Sequence, residues 1–216
     1  MRRIALVNDE YYHIFNRGVE KRKVFSNHAD HLRFIDSILD FNSKVPSWRI
    51  KDLKSSNPSL IEVEPRLEDQ LVEIVAYCLN PNHFHLIIKQ KKDNGISEFM
   101  RKIGTGYTMY FNKKYKRSGV LFQGRFKSVL ITSNEQLIYT SAYVNCNCEI
   151  HNIAPVKNYP WSSFGEYLGL NNNMVCQKES VLGQFRNANE YKKYVLNQIE
   201  RIKENKKISK KELELE

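Results

Sequence analysis

Asn80-Pro81-Asn82-His83-Phe84-His85-Leu86-Ile87-Ile88 follows directly on the apolar run Val72-Glu73-Ile74-Val75-Ala76-Tyr77-Cys78-Leu79. Both runs have the apolar and β-branched content of strands, and Asn-Pro-Asn is the chemistry of a tight link between them. Side chains on a strand alternate faces with a period of two. His83 and His85 therefore share one face, and Phe84, Leu86 and Ile88 point the other way, into a core. Two imidazoles on one face of a rigid strand form a platform ready to chelate a metal. A strand histidine is also an ordinary packed or surface residue, so the pair needs partners from elsewhere in the chain.

Outward from this hairpin the chain reads as alternating elements. Tyr11 to Asn16 is a first strand, ended by Arg17-Gly18. A helix follows over about 27–41, with Asn27 as its cap and His31, Leu32, Phe34, Ile35, Ile38 and Leu39 as an apolar stripe. The pattern weakens over 43–69, which reads as an insertion before the histidine hairpin. Beyond the hairpin a helix spans about 96–116, weakened by Gly104 and Gly106, which permit close approach of another backbone. Val120 to Ile131 reads as extended, with a bulge at Gly124. Ser133 and Gln136 match a capping box opening a helix over about 134–148. A loop around Tyr159-Pro160-Trp161 leads into a short helix. A last helix begins near Asn187, carrying Tyr191, Tyr194, Val195, Ile199 and Ile202 at helical spacing. It has equal claims as a binding surface and as packing. The order predicts an α+β fold: a ferredoxin-like, RRM-like antiparallel sheet with helices packed on one face. Residues 1–170 are the expected main domain and 171–216 a basic C-terminal helical extension.

Composition narrows the class. The hydrophobic content of 41% fits a globular chain, and no stretch approaches the ~18 apolar residues of a membrane span. Asn8-Asp9-Glu10 interrupts any signal-peptide core, so a cytoplasmic location is expected. The four cysteines read as reduced thiols. Cys146 and Cys148 leave open a structural zinc site shared with the histidines. The net charge of +10 suits a polyanion. No acidic residue lies between Glu98 and Glu135, while Arg101, Lys102, Lys113, Lys114, Lys116, Arg117, Arg125 and Lys127 do. Tyr107, Tyr110, Phe111, Tyr115, Phe122 and Phe126 are interleaved with them. Cations neutralise phosphates and exposed rings stack on unpaired bases, so this interval is a candidate nucleic-acid surface. A solvated basic face over an aromatic core has the same composition.

The helix from Asn134 carries Tyr139, Tyr143 and Asn147 at four-residue spacing, on one helical face. Tyr143 offers a phenol nucleophile and Asn147 an amide oxygen as a third ligand, if both face the histidines. Core aromatics and a helix-capping asparagine would give the same pattern.

Taken in order, several segments resemble one family. Asn80 to His85 resembles the P-N-H-x-H signature of the His-hydrophobe-His single-tyrosine transposases, and more narrowly the REP-associated, IS200-like branch. Phe15-Asn16-Arg17-Gly18, Tyr107 to Asn112, Arg117 to Ser128, Tyr143 to Asn147 and Tyr159 to Phe164 match in sequence order over residues 11–168. Two positions depart from the family pattern. Cys148 stands where a proline is usual, and Phe122 where a tryptophan is usual.

The resemblance implies that Tyr143 is the nucleophile and that His83, His85 and Asn147 hold one divalent ion. Amide, water and phosphate oxygens favour Mg²⁺ or Mn²⁺. It implies a single-stranded DNA endonuclease and strand transferase that cuts near hairpins through a 5′-phosphotyrosine, acting as a monomer or homodimer. Arg17, Arg101, Lys102, Lys113, Lys114, Arg117, Phe122, Arg125 and Lys127 are the expected DNA contacts. The alternative is a non-catalytic single-stranded nucleic-acid-binding module of RRM-like fold.

Overall fold

The structure is a computed structural model that describes residues 5–42, 70–171 and 175–213, with side chains to residue 205. The expected insertion, 43–69, lies outside the described residues. Its two ends are held together, because the Asn42 side chain donates to Val72 O (2.8 Å) and accepts from Val72 N–H (3.0 Å).

Four antiparallel strands form one sheet, β1 (Tyr11–Arg17), β2 (Val72–Asn80), β3 (His83–Gln90) and β4 (Lys127–Ile131), in the order β2-β3-β1-β4. With α1 (His28–Asp40) after β1 and α2 (Gly95–Lys114) after β3, this is the expected ferredoxin-like arrangement. Both helices pack on one face, over Tyr12, Ile14, Phe84, Leu86 and Ile88. The reciprocal box at Asn27 and Asp30 starts α1. Leu32 and Leu39, placed in its apolar stripe from sequence, are exposed. Gly106 admits the ring of Phe41, whose Cε2 would lie 2.8 Å from an added Cβ. Gly104 has nothing within 4 Å of that position.

The opposite face carries a second core. Here α3 (Asn134–Asn145), α4 (Asn147–Ile150) and α7 (Ala188–Leu213) cover Val75, Ala76, Cys78 and Ile87. Between α4 and α7 run α5 (Phe164–Tyr167) and α6 (Glu179–Leu182). Of the stripe read on α7, Tyr191, Val195, Ile199 and Ile202 are buried. At about 1.5–3 kcal/mol per buried side chain, that is a substantial packing contribution. The Tyr191 hydroxyl accepts from Asn145 Nδ2 at 2.8 Å, so α7 props the end of α3. Packing, not an exposed apolar stripe, accounts for these residues.

Two elements differ from the sequence reading. The extended segment 120–131 pairs as β4 only from Lys127, preceded by an isolated bridge between Gly18 and Phe122 and by Gly124 at φ +70°. The single helix expected over 134–148 divides at Cys146 into α3 and α4. Ser133 caps α3 through Gln136 N–H, but the Gln136 side chain accepts from Thr132 N–H rather than closing a reciprocal box.

Candidate active site

The hairpin turn between β2 and β3 is two residues long, Pro81-Asn82, and is tied from outside. Pro81 O accepts from the N–H groups of Val24 (2.7 Å) and Phe25 (3.0 Å). His83 and His85 lie on the face away from Phe84 and Leu86, as the alternation requires. Their strand neighbours on β1 are Arg17 and Phe15.

A register shift between Ile74 and Ala76 decides what joins them from β2. Ile74 pairs with Ile88 and belongs to the α1/α2 side. Strict alternation would put Ala76, Cys78 and Asn80 there too. The extra residue, Val75, flips them, so Ala76 pairs with Ile87, Cys78 with His85, and Asn80 with His83. The bulge is therefore what brings Asn80 into the histidine face.

Tyr143 on α3 and Asn147 at the start of α4 meet the same face. The Tyr143 ring stands edge-on to His85 (5.8 Å between centroids, 88°) and to His13 (6.0 Å, 78°). Asn147 is fully buried, with Oδ1 3.2 Å from His83 Nε2 and 2.6 Å from Asn80 Nδ2. His83, His85, Tyr143 and Asn147 thus come together. Tyr139, on the same helical face, does not join them and is 45% exposed. Three further polar side chains belong to the cluster and escaped the sequence reading. These are His13, whose Nε2 lies 2.8 Å from His85 Nδ1, Asn80, and His151, whose ring is 5.0 Å from that of His83. Strand parity was the available signal for His13: it shares a face with Tyr11, Phe15 and Arg17, opposite Ile87 of β3.

The donor chemistry fits a divalent cation. Asn82 Oδ1 lies 2.6 Å from His83 Nδ1 and can only accept, so Nδ1 carries the proton. The Nε2 lone pair then faces the Asn147 Oδ1 lone pairs across 3.2 Å. The Asn80 amide, 2.9 Å from Nε2, donates into this gap. Adjacent ligands of an octahedral ion with bonds of ~2.1 Å stand ~3 Å apart, close to the observed separation. Asn147 Nδ2 is buried with no hydrogen-bond partner, so the amide's orientation is set by its oxygen. Among the described residues, no three His, Cys, Asp or Glu side chains form a metal-binding group. Cys78, Cys146 and Cys148 lie in the apolar core, where burial pushes the Cys78 and Cys146 thiols up.

Burial also sets the protonation of the site. It lowers His13 to about 4 and lowers His85 well below the usual imidazole value, the latter with help from His13, His83 and His151. Both are neutral near pH 7, the form a metal ligand or its hydrogen-bonded neighbour needs. Burial pushes the Tyr143 phenol up, and the Asn147 amide acts in the opposite direction.

His83, His85, Tyr143 and His151 line a cleft of about 640 Å³, whose rim carries Arg17, Lys21, Lys23 and Lys127 and, among the described residues, no carboxylate. A second groove, about 930 Å³, runs between α2 and the segment 119–126. Asn16 lines both. The expected DNA contacts divide accordingly. Arg17 and Lys127 line the cleft, Arg101 and Arg125 the groove, and Lys113 is exposed at the end of α2. Lys102 pairs with Glu98 (2.8 Å), and Arg117 donates to Val120 O (3.1 Å) and to Asn112. Lys114 is held by buried Asp30 at 2.6 Å. Phe122, 9% exposed, packs edge-on against Phe84 in the core and also lines the groove.

Residues 61–147, from before β2 to Asn147, match the family described as "Transposase IS200 like". No curated protein matches the chain. The fold is similar to a solved structure of a REP-associated tyrosine transposase bound to a REP hairpin. That match has a TM-score of 0.52 and 18% identity, and it covers 80% of this chain and 88% of the other. No described helix is long and apolar enough to cross a membrane. The stretch that matches the IS200-like transposase family, residues 61–147, contains His83, His85, Tyr143 and Asn147.

Proposed function

We propose that the protein cuts and rejoins single-stranded DNA beside hairpins, with Tyr143 as nucleophile. The observation that carries this reading is the convergence of Tyr143 and Asn147 from α3 and α4 with His83 and His85 on β3. The hairpin-bound structural neighbour supports the substrate class.

His83 Nε2, His85 and Asn147 Oδ1 hold one divalent ion, Mg²⁺ or Mn²⁺. When bound, that ion polarises the scissile phosphate and offsets its developing charge. Arg17 and Lys127 draw the DNA backbone into the cleft. The Tyr143 hydroxyl gives its proton to solvent and its oxygen bonds to phosphorus. The bond from phosphorus to the 3′ oxygen breaks, and that oxygen takes up a proton. A 5′-phosphotyrosine and a free 3′-hydroxyl result, and the reverse attack rejoins a strand without ATP. Unpaired bases flanking the hairpin run from the cleft past Asn16 into the α2 groove, between Arg101 and Arg125.

A non-catalytic RRM-like module needs an open sheet face on which bases stack. Here α1 and α2 cover one face, and α3, α4 and α7 cover much of the other. The test is incubation with hairpin DNA carrying single-stranded flanks and Mn²⁺, followed by denaturing electrophoresis. A covalent adduct that disappears in Tyr143→Phe supports the chemistry. DNA binding with no adduct across a broad hairpin panel favours the module.

A further inference from the structure

We infer that His13 is a positioning residue that fixes the tautomer and ring orientation of His85. This rests on the proposed reading of His85 as a metal ligand. His13 lies on β1, one pleat along from Phe15, the residue opposite His85, so it is the diagonal neighbour of His85 on the site face. Its Nε2 is 2.8 Å from His85 Nδ1, with the ring planes 23° apart, so the two ring edges meet nearly in plane. Such a contact between neutral imidazoles is attractive only when one of the facing nitrogens bears a hydrogen and the other does not.

His85 can present a lone pair at Nε2 only with its proton on Nδ1. In that state Nδ1–H donates to His13 Nε2, and His13 carries its own proton on Nδ1. Metal-binding imidazoles commonly have a carboxylate or carbonyl acceptor in this place. Here the acceptor is a second imidazole. The Tyr143 ring stands against both. One residue therefore sets the ligand's orientation and borders the nucleophile. The competing account is that His13 only fills space beside Phe15, 5.0 Å away between centroids.

The test uses the full-length protein without DNA. Nitrogen-15 NMR of the metal-free wild type should show His85 protonated on Nδ1. The Nε2–H tautomer would overturn the proposal. Mn²⁺ titration by electron paramagnetic resonance supplies the second readout. His13→Leu should weaken Mn²⁺ binding roughly 10- to 100-fold, the usual effect of losing an outer-shell partner. His13→Gln, whose amide oxygen can accept from Nδ1–H, should restore most of that loss. Equal Mn²⁺ affinity in His13→Leu and wild type would show a packing role only. So would a Gln variant as weak as the Leu variant. A melting curve for each variant separates misfolding from lost orientation, and the wild-type tautomer stands as evidence even if His13→Leu does not fold. Undiminished Mn²⁺ binding in His83→Ala and Asn147→Ala would instead sink the ligand assignment on which the proposal rests.

Discussion

Asn80 Nδ2 lies 2.6 Å from Asn147 Oδ1, a buried bond from the last residue of β2 to the first residue of α4. The same nitrogen is 2.9 Å from His83 Nε2. One amide thus ties the histidine hairpin to the helical segment that follows Tyr143. It can do so only because the bulge at Val75 turns Asn80 onto the site face.

Asn80→Ala should therefore harm both stability and chemistry. Asn147 would lose its bond from Asn80 while its Nδ2 already has no partner. Leaving a buried amide this poorly satisfied costs about 1–3 kcal/mol, to be read by urea denaturation. Adduct yield with hairpin DNA should fall roughly tenfold or more, the usual effect of losing an outer-shell partner. An adduct yield equal to wild type would show that Asn80 has no part in positioning Asn147 and His83 for the reaction.

Lys113 and Lys114 are adjacent in sequence but should respond differently to mutation. Lys114 donates to the buried Asp30, which also accepts from Tyr110, Tyr115 and Ser26 N–H. Removing it leaves a buried carboxylate short of its cation, so Lys114→Met should cost about 1–3 kcal/mol of stability. The salt dependence of DNA binding should be unchanged. Lys113 is exposed, and if it contacts a phosphate, Lys113→Met should lower the slope of log affinity against log salt by ~0.7 without touching stability. Equal effects of the two variants would refute this division.

Asp30 also sets a pH dependence. Burial alone pushes its carboxyl up, but the bonds from Lys114, Tyr115, Ser26 N–H and Tyr110 outweigh that and hold it below the usual carboxylate value. A depressed folded-state pKa contributes stability that is fully present above the unfolded value of ~3.9 and lost as pH falls through the folded value. Acid should therefore destabilise the wild type more steeply than Asp30→Asn below about pH 4. Thermal melts of both proteins from neutral to acid pH measure this, and parallel curves would contradict it.

The period-two pattern of β3 was enough to pair His83 with His85, and helical spacing was enough to put Tyr143 and Asn147 within reach of each other. What sequence could not supply is the register across strands. Asn80 follows a stretch that is apolar throughout from Ile74 to Leu79, and no residue there marks where the bulge falls. Strand parity puts His13 on one face of β1 with Phe15, but only the non-local pairing of β1 with β3 sets that face beside His85. The partners of Phe122 and Lys114 were hidden for a related reason. Composition marks the interval from Glu98 to Glu135 as basic and aromatic, but burial against Phe84 and the carboxylate of Asp30 come from distant elements. A pattern of residues types the surface; the partners that use up individual side chains appear only on folding.

Gly104 separates the groove from the fold. It lies inside α2, where glycine costs about 1 kcal/mol relative to alanine, so replacing it should favour the helix. An added Cβ there meets nothing within 4 Å, because the position opens onto the groove. Gly104→Leu should therefore melt at or above the wild-type temperature while filling the space assigned to unpaired bases. Affinity for a hairpin with single-stranded flanks should drop, and affinity for the same hairpin with blunt ends should stay level, both read by fluorescence anisotropy. Gly106→Leu makes the contrast, since its side chain would strike the Phe41 ring and lower stability. If Gly104→Leu binds the flanked hairpin as tightly as wild type does, the unpaired strand follows another path from the cleft.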